Sequence, residues 1–453
     1  MRMIISMSRM NRCAHYARLS PVFNVLIAFF FLSLPGHIFG TENTTILRFG
    51  RLVNGKGEVH KNAVVIVRND RIVSVGTEPS DMPGEAQIID LTDYTGIPGL
   101  IDVHTHMTYY WDASFGDEPW QLQEMLGPAI TTFLAQENAL KTLETGVTTV
   151  RDVGAFDPNT CDRIDIAMRD LINMGKMVGP RMVVSGYGLL PTFSPTTIEH
   201  LPRRWGTADG VDEVIHIVRR EIAAGVDWVK MFASTGSADD LTGYQTYTYE
   251  EIKAAVDVAH HMGTPISVHS YGPDAARDAI RAGANSIEHA IDMDEETLKE
   301  MTRKGIFYVP TVDHNRYYAD NAELYGYGPD VVEHLHAFIE RNVKMVQRAH
   351  KAGVPIAMGS DAVFTMFGEN TRELAWFIKA GMTPKEALAT ATVNAASLLG
   401  MKDELGDIAP GYYADIVAVE GDPLQDIDVV INNVRWVMKG GIVVIDKTGT
   451  SRH

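Results

Sequence analysis

Two textures of hydrophobic patterning divide this chain. From residue 45 to 99 short β-branched runs dominate. Ala63-Val64-Val65-Ile66-Val67 and Arg71-Ile72-Val73-Ser74-Val75 flank Asn69-Asp70, a turn dipeptide, and so predict a hairpin. The far end repeats the texture: Asp415-Ile416-Val417-Ala418-Val419, Val434-Arg435-Trp436-Val437-Met438 and Ile442-Val443-Val444-Ile445 read as strands, with Lys439-Gly440-Gly441 as a second hairpin turn. Two strand-rich ends around a long middle predict one small β domain, a β-sandwich assembled from residues 41–97 and 396–453.

The middle, 98–395, alternates. Apolar runs of strand length occur at Leu100 to Met107, Thr148 to Gly154, Met182 to Tyr187, Trp228 to Ala233, Pro265 to His269, Ser286 to His289, Phe307 to Thr311 and Pro355 to Asp361. Between them lie stretches of helical period, among them Ile130 to Glu144, Val211 to Ala224, Tyr249 to Met262, Pro273 to Ala282 and Asp330 to Ala352. Gly146, Gly225, Gly263, Gly283, Gly305 and Gly353 close helices before the next strand, as expected of residues that take a left-handed backbone. Eight strands alternating with helices predict an α/β fold, a (β/α)8 barrel of the TIM type. A doubly wound sheet is the competing architecture, but no glycine-rich nucleotide loop follows an early strand.

The N-terminus has its own pattern. Arg2, Arg9, Arg12 and Arg18 precede an apolar run from Val22 to Leu34, and Ile38-Phe39-Gly40 offers a small residue at a cleavage point. Residues 1–40 are therefore expected to be a signal peptide, with an uncleaved membrane anchor as the alternative. The run is shorter than the roughly 20 residues that span a bilayer, so no stable membrane span is expected after cleavage. A periplasmic or secreted location follows. No Cys follows the run to carry a lipid. Cys13 falls inside the signal, which leaves Cys161 alone in the mature chain, with no partner for a disulfide.

The 453 residues carry 40 Lys plus Arg against 58 Asp plus Glu, a net charge of −18. The first 40 residues hold four Arg and no acid. The rest, with 36 basic and 58 acidic residues, therefore carries −22. Such a body is repelled by phosphate backbones, so a nucleic-acid partner is not expected. Nothing in the pattern opposes a homo-oligomer.

The chemistry sits at the ends of the apolar runs. His104 and His106, at i and i+2 on the first strand, point to one face and can share a metal ion. Lys230 lies among apolar neighbours on the fourth, where an inward ammonium is costly and an outward one is the simpler reading. His269 ends the fifth strand, His289 the sixth, and Asp361 the eighth. Taken singly, each also reads as a core histidine, or in the case of Asp361 as a turn cap. Together they occupy the strand ends where barrel active sites form, and imidazole plus carboxylate suits zinc or a similar divalent ion. The ten other His residues beyond residue 40, for example His60, His200, His216, His336 and His350, are scattered.

The ordered stretches resemble the amidohydrolase superfamily in its binuclear form: Pro98-Gly-Leu-Ile-Asp-Val-His-Thr-His106, Gly146-Val-Thr-Thr-Val-Arg-Asp-Val-Gly154, Val229-Lys-Met-Phe-Ala233, Ser267-Val-His-Ser270, Ser286-Ile-Glu-His-Ala290, Gly359-Ser-Asp361, Leu405-Gly-Asp-Ile-Ala-Pro-Gly411 and Ala414-Asp-Ile-Val417. The resemblance covers about residues 45 to 447 and is nearest to the imidazolonepropionase-like branch, which includes metal-dependent Xaa-Pro dipeptidases and a fungal ochratoxin-hydrolysing amidase.

That resemblance implies two divalent metal ions. His104, His106 and Asp361 would hold one and His269 and His289 the other. Lys230 would be carboxylated by CO2, its carbamate bridging both, with a bridging hydroxide as nucleophile. Asp361 would be the catalytic acid and base. The implied activity is hydrolysis of a C–N bond in a small-molecule amide, a dipeptide of the Xaa-Pro kind or an N-acyl amino acid. A cyclic amide or lactone is the alternative substrate, and a catalytically inactive binding barrel a third reading, opposed by the complete ligand set.

Relatives often carry a His after the third strand. Here Gly186-Tyr-Gly-Leu-Leu-Pro-Thr-Phe-Ser-Pro195 has none before His200, so either Tyr187 or a metal would take that role or the substrate differs. Tyr271 and Arg316 are the candidates for gripping a substrate carboxylate, against a plain loop or rim role. Tyr109, Tyr110 and Trp111 either line an aromatic pocket or pack their own loop.

Overall fold

The computed structural model describes residues 43–77, 86–114, 119, 122, 125–155, 162–192 and 206–449. The expected signal peptide and Cys161 lie outside the described residues. No helix among those described is long and apolar enough to cross a membrane.

The strand-rich ends do pair. β1 (Thr44–Val53), β2 (Val59–Arg68), β3 (Arg71–Gly76) and β4 (Gln87–Pro98) come from the start of the chain. They share one seven-stranded sheet with the last three strands, β12 (Ile416–Val419), β13 (Val434–Lys439) and β14 (Ile442–Asp446), in the order β14-β13-β12-β4-β1-β2-β3. β4 is the joint. It runs parallel to β1, and antiparallel to β12 with Ile416 opposite Pro98.

The strands form one continuous seven-stranded sheet. Right-handed twist accumulates over seven strands until the sheet curls on itself. Ile72 donates to the Tyr412 carbonyl and Ala414 to that of Asp70, tying β3 to the segment before β12. Leu47, Phe49, Leu52, Val65, Ile416, Trp436 and Met438 fill the enclosed core. The two expected hairpin turns meet there. Gly440 and Gly441 both take positive φ, and a Cβ on Gly441 would fall 1.8 Å from the Asn69 carbonyl oxygen, so only glycine fits.

The middle forms parallel strands separated by helices. The strands are β5 (Leu100–Thr105), β6 (Val147–Asp152), β7 (Arg181–Val184), β8 (Val229–Phe232), β9 (Ile266–Ser270), β10 (Ser286–His289) and β11 (Phe307–Val309). The helices up to the last of these crossings are α1 (Pro128–Glu144), α2 (Ile164–Asn173), α3 (Val211–Ala224), α4 (Tyr249–His261), α5 (Pro273–Ala282), α6 (Glu295–Lys304), α7 (Val312–Asp320) and α8 (Pro329–Lys351), and three short helices follow between Glu373 and Leu398. The glycines expected to close helices all have positive φ, from 67° at Gly305 to 98° at Gly283.

β5-β6-β7 and β8-β9-β10-β11 are assigned as separate sheets, yet both gaps between them are bridged. Leu189 pairs with Met231 on one side, and on the other Ile356 pairs with Tyr308 and Ala362 with Thr105. The architecture is TIM-barrel-like, and the doubly wound alternative falls away. The eighth expected strand, Pro355 to Asp361, is not regular. Gly359 lies so close to β5 and β11 that a Cβ would meet Val309 Cγ1 at 2.5 Å, and Asp361 turns to φ 54°. Close approach and kink replace the ladder there.

Candidate metal centre

The ring of parallel strands ends in a cluster of buried polar side chains. His104 near the end of β5 and His106 just past it project inward together, as the two-residue period dictates. Asp361 faces them. Its Oδ1 lies 3.5 Å from His104 Nε2 and 3.3 Å from His106 Nε2, and its backbone N donates to the His104 carbonyl at 2.8 Å. His289 ends β10 with its Nδ1 2.6 Å from Thr311 Oγ1 and 3.8 Å from Asp361 Oδ2. The His289 ring centroid is 4.9 Å from His104 and 4.6 Å from His269. Lys230 completes the group from β8. It is fully buried, its Nζ 4.9 Å from the Phe232 ring centroid, and Phe232 in turn lies 5.2 Å from His269. His289 (φ 71°), Thr311 (φ 49°) and Asp361 (φ 54°) share left-handed backbone, a concentration of strain that is a mark of functional sites.

Three atoms in this group are buried without any hydrogen-bond partner: His104 Nε2, His269 Nε2 and Lys230 Nζ. Leaving such atoms unsatisfied is costly unless something else meets them. Their protonation fits that reading. Burial, then the nearby Lys230, pulls His104 down to about 4, and burial and the same cation hold His269 well below the usual imidazole range. His289 is likewise held low by burial and by its neighbours His269 and His104. Neutral imidazoles keep a lone pair for a metal. Burial alone would raise the Asp361 carboxyl, but the histidines around it, His314 first, hold it well below the carboxylate range. Burial lowers Lys230 to about 8, despite the pull of Glu288 and Asp361 in the other direction.

A second layer of bonds orients the first. His104 Nδ1 donates to Glu288 Oε2 at 2.7 Å and His106 Nδ1 to the Gly154 carbonyl at 3.0 Å, which leaves each Nε2 lone pair facing the cluster. Glu288 is itself held by Arg151 Nη2 at 2.9 Å, with both side chains wholly buried. Arg151 also donates to the Val103 carbonyl at 2.6 Å and to Ser286 Oγ at 3.0 Å. Asp102, buried beneath, accepts from Ser360 Oγ at 2.6 Å and Asn370 Nδ2 at 3.0 Å, tying the Asp361 segment to β5.

The model of the amidohydrolase family matches residues 95–444 of this chain. The chain belongs to the amidohydrolase family. It is 33% identical to the ochratoxinase of Aspergillus niger over 433 residues, covering 88% of this chain and 86% of that protein. It is 26% identical to the imidazolonepropionase of Caldanaerobacter subterraneus subsp. tengcongensis over 433 residues, 86% of this chain and 92% of that one. Among solved structures, a Xaa-Pro dipeptidase with methionine bound in its active site superposes with a TM-score of 0.79 at 30% identity, covering 88% of this chain and 99% of that one. This amidohydrolase is accordingly a hydrolase acting on carbon–nitrogen bonds. Its family is metal-dependent, and His104, His106 and Asp361 form a set that can hold a metal ion. The donor types and the unpartnered atoms around them fit that requirement.

Not every expected residue joins the site. Arg316, on α7, stands apart. It pairs with Asp313 at 2.6 Å, Asp320 at 3.2 Å and Glu369, so its guanidinium is engaged by three carboxylates. Tyr187 does not replace the missing His either, because its hydroxyl donates to the Asp162 carbonyl at 2.9 Å. Tyr271 does join. Its ring stacks on His269 at 5.2 Å and lies 5.1 Å from His289, in space left by Gly236, where a Cβ would fall 2.3 Å from the ring. Tyr109 stacks on His106 at 4.6 Å. Trp111 packs against Phe364 and Tyr325.

His314 corrects the view that the remaining histidines are scattered. Its Nδ1 donates to the Asp361 carbonyl at 2.8 Å and lies 3.5 Å from the Asp361 carboxylate. No spacing in the sequence sets His314 apart. Glu288 and Arg151 did carry a signal, as ionisable residues inside strand-length apolar runs beside His289 and Asp152.

Proposed function

We propose that this protein is an exported hydrolase that cleaves the amide bond of a dipeptide of the Xaa-Pro kind or of an N-acyl amino acid. The observation that carries this reading is the meeting of His104, His106, Lys230, His269, His289 and Asp361 around buried ligand atoms that have no partner in the protein. One divalent ion, zinc by its donor set, would sit on His104, His106 and Asp361. A second would sit on His269 and His289, with a CO2-derived carbamate on Lys230 between them. When bound, such ions supply Lewis acidity at the scissile carbonyl and lower the pKa of water. A Lys230 amine near 8 supports the carbamate, since only the neutral amine adds CO2.

The chain's own groups do the rest. Asp361 is held ionised, so it can take the proton of the attacking water and pass it to the departing nitrogen, a poor leaving group unless protonated. Burial, the Asp361 charge and other neighbouring groups keep the Tyr271 phenol protonated, so it serves as a donor toward substrate oxygen. The buried Asn315 amide lies beside the Tyr271 phenol. The stacked rings of Tyr109 and His106 offer an apolar wall. Export rests on the Arg-rich start and apolar run within residues 1–40.

Purified protein would be assayed on Xaa-Pro dipeptides, N-acyl amino acids, lactams and lactones, with metal analysis alongside. Turnover of either of the first two supports the reading. Turnover of lactams or lactones alone would replace it. Lys230→Ala is expected to lose activity and about one metal equivalent, and full activity in that variant would refute the bridge. N-terminal sequencing of extracellular or periplasmic material tests export, with a start just after Gly40 expected.

A further inference from the structure

A second cavity, of about 890 Å3, opens at the other end of the parallel strands, lined at the start of β7 by Arg181 and just before β8 by Trp228. Tyr413, Lys439 and Ile442 of the composite sheet form its opposite wall, so both halves of the fold contribute. None of these residues has a place in the metal centre.

The cavity is lined by three carboxylates, Asp70, Asp170 and Asp227, and three cations, Arg169, Arg181 and Lys439, and they are unevenly paired. Arg169 holds two of its carboxylates, Asp170 at 2.9 Å and Asp227 at 3.0 Å, and Asp70 lies 3.9 Å from Arg71. Two cations remain. Arg181 stacks 4.1 Å from the Tyr413 ring centroid, with Arg71 3.5 Å from the same centroid. The acid paired with Arg181, Asp415, is 3.6 Å away, beyond hydrogen-bond range. Lys439 is half-buried beside Arg181 and Asp415, and its side chain makes no hydrogen bond or ion pair among the described residues. Asp415 Oδ1 accepts from Gly440 N at 2.7 Å, while its Oδ2 is buried without a hydrogen bond.

We propose that this cavity is a binding site for a small organic oxyanion, a carboxylate or phosphate ester with an apolar body, gripped by Arg181 and Lys439. Two half-buried cations share one carboxylate there, so a bound anion would meet donors that the protein leaves unused. Burial, then Arg181 beside it, already pulls Lys439 down to about 8, a strain that an anion relieves. Trp228, Met182 and Met401 would take the apolar body. Ile442, 69% exposed on the rim, would be covered by it.

The test is calorimetric titration and thermal shift of the full protein with benzoate, phenyl phosphate and inorganic phosphate, each against chloride at equal ionic strength. Saturable binding of at least one aromatic anion is expected, weakened tenfold or more in Lys439→Met and in Arg181→Gln. Hydrolytic activity of both variants should stay at the wild-type level, which separates this site from the metal centre and from the proposed substrate reading. Tighter binding of phenyl phosphate than benzoate would mark the ligand as a phosphate ester, and the reverse as a carboxylate. Binding unchanged in both variants, or no saturable binding by any probe, would overturn the proposal.

Discussion

Glu288→Gln removes one charge and keeps the shape. Glu288 is wholly buried between two obligate donors, Arg151 Nη2 at 2.9 Å and His104 Nδ1 at 2.7 Å, with Ser286 also bonded to it. Burial would raise its carboxyl, but Arg151 and His104 hold it down, from 4.5 to about 2. A displacement of that size corresponds to about 3 kcal/mol of favourable interaction in the folded state. The amide that replaces it can accept on one side only, so its NH2 must face either the guanidinium or the imidazole N–H. Breaking a buried pair from one side costs about 3–5 kcal/mol.

Urea unfolding of the metal-free variant should therefore show a loss in that range, and competition against a chelator should show metal affinity about 10–100-fold weaker, because His104 loses its orienting acceptor. Arg151→Met added to Glu288→Gln removes the stranded cation. The double variant should lose less than the sum of the singles, with a coupling of roughly 1–3 kcal/mol. A loss below about 1 kcal/mol in Glu288→Gln, with unchanged metal affinity, would refute the role given to this pair.

Other consequences are as concrete. Gly359→Ala would place a Cβ 2.5 Å from Val309 Cγ1 and 2.7 Å from His104 Cβ, so a loss of about 1–3 kcal/mol and weaker metal binding are expected from denaturation and metal titration. His314→Ala removes the donor that holds the Asp361 carbonyl at 2.8 Å. Steady-state kinetics should show kcat down about tenfold with KM little changed, and His314→Asn should recover part of it. The pH dependence of metal-free stability follows from the sign of the Glu288 displacement. A carboxyl depressed in the fold stabilises above its unfolded value, so unfolding free energy should fall as pH drops from about 4.5 to about 2, flattening in Glu288→Gln.

The sequence by itself determined most of the elements, and the reason is local. β-branched runs bounded by Asn69-Asp70 and Lys439-Gly440-Gly441 have few other options than hairpins, and glycines such as Gly225 and Gly283 end helices because they tolerate left-handed backbone. The polar residues at strand ends were legible for a similar reason. His104, His106, Lys230, His269, His289 and Asp361 interrupt apolar runs at places where a solvated side chain would be cheaper.

Tertiary structure decided what depends on partners far along the chain. Whether Lys230 points inward was fixed by β8 lying between β9 and the Leu189 segment, not by its own neighbours. His314 looked like any helical histidine until α7 brought it to Asp361. Arg316 looked available until Asp313, Asp320 and Glu369 claimed it. The curl of the seven-stranded sheet, and the kink that replaces an eighth strand at Gly359, come from accumulated twist and from backbones meeting across the ring. A pattern of residue types encodes which side chains prefer burial, but the partner that satisfies each one is set by chain closure over hundreds of residues, which leaves no periodic mark in the sequence.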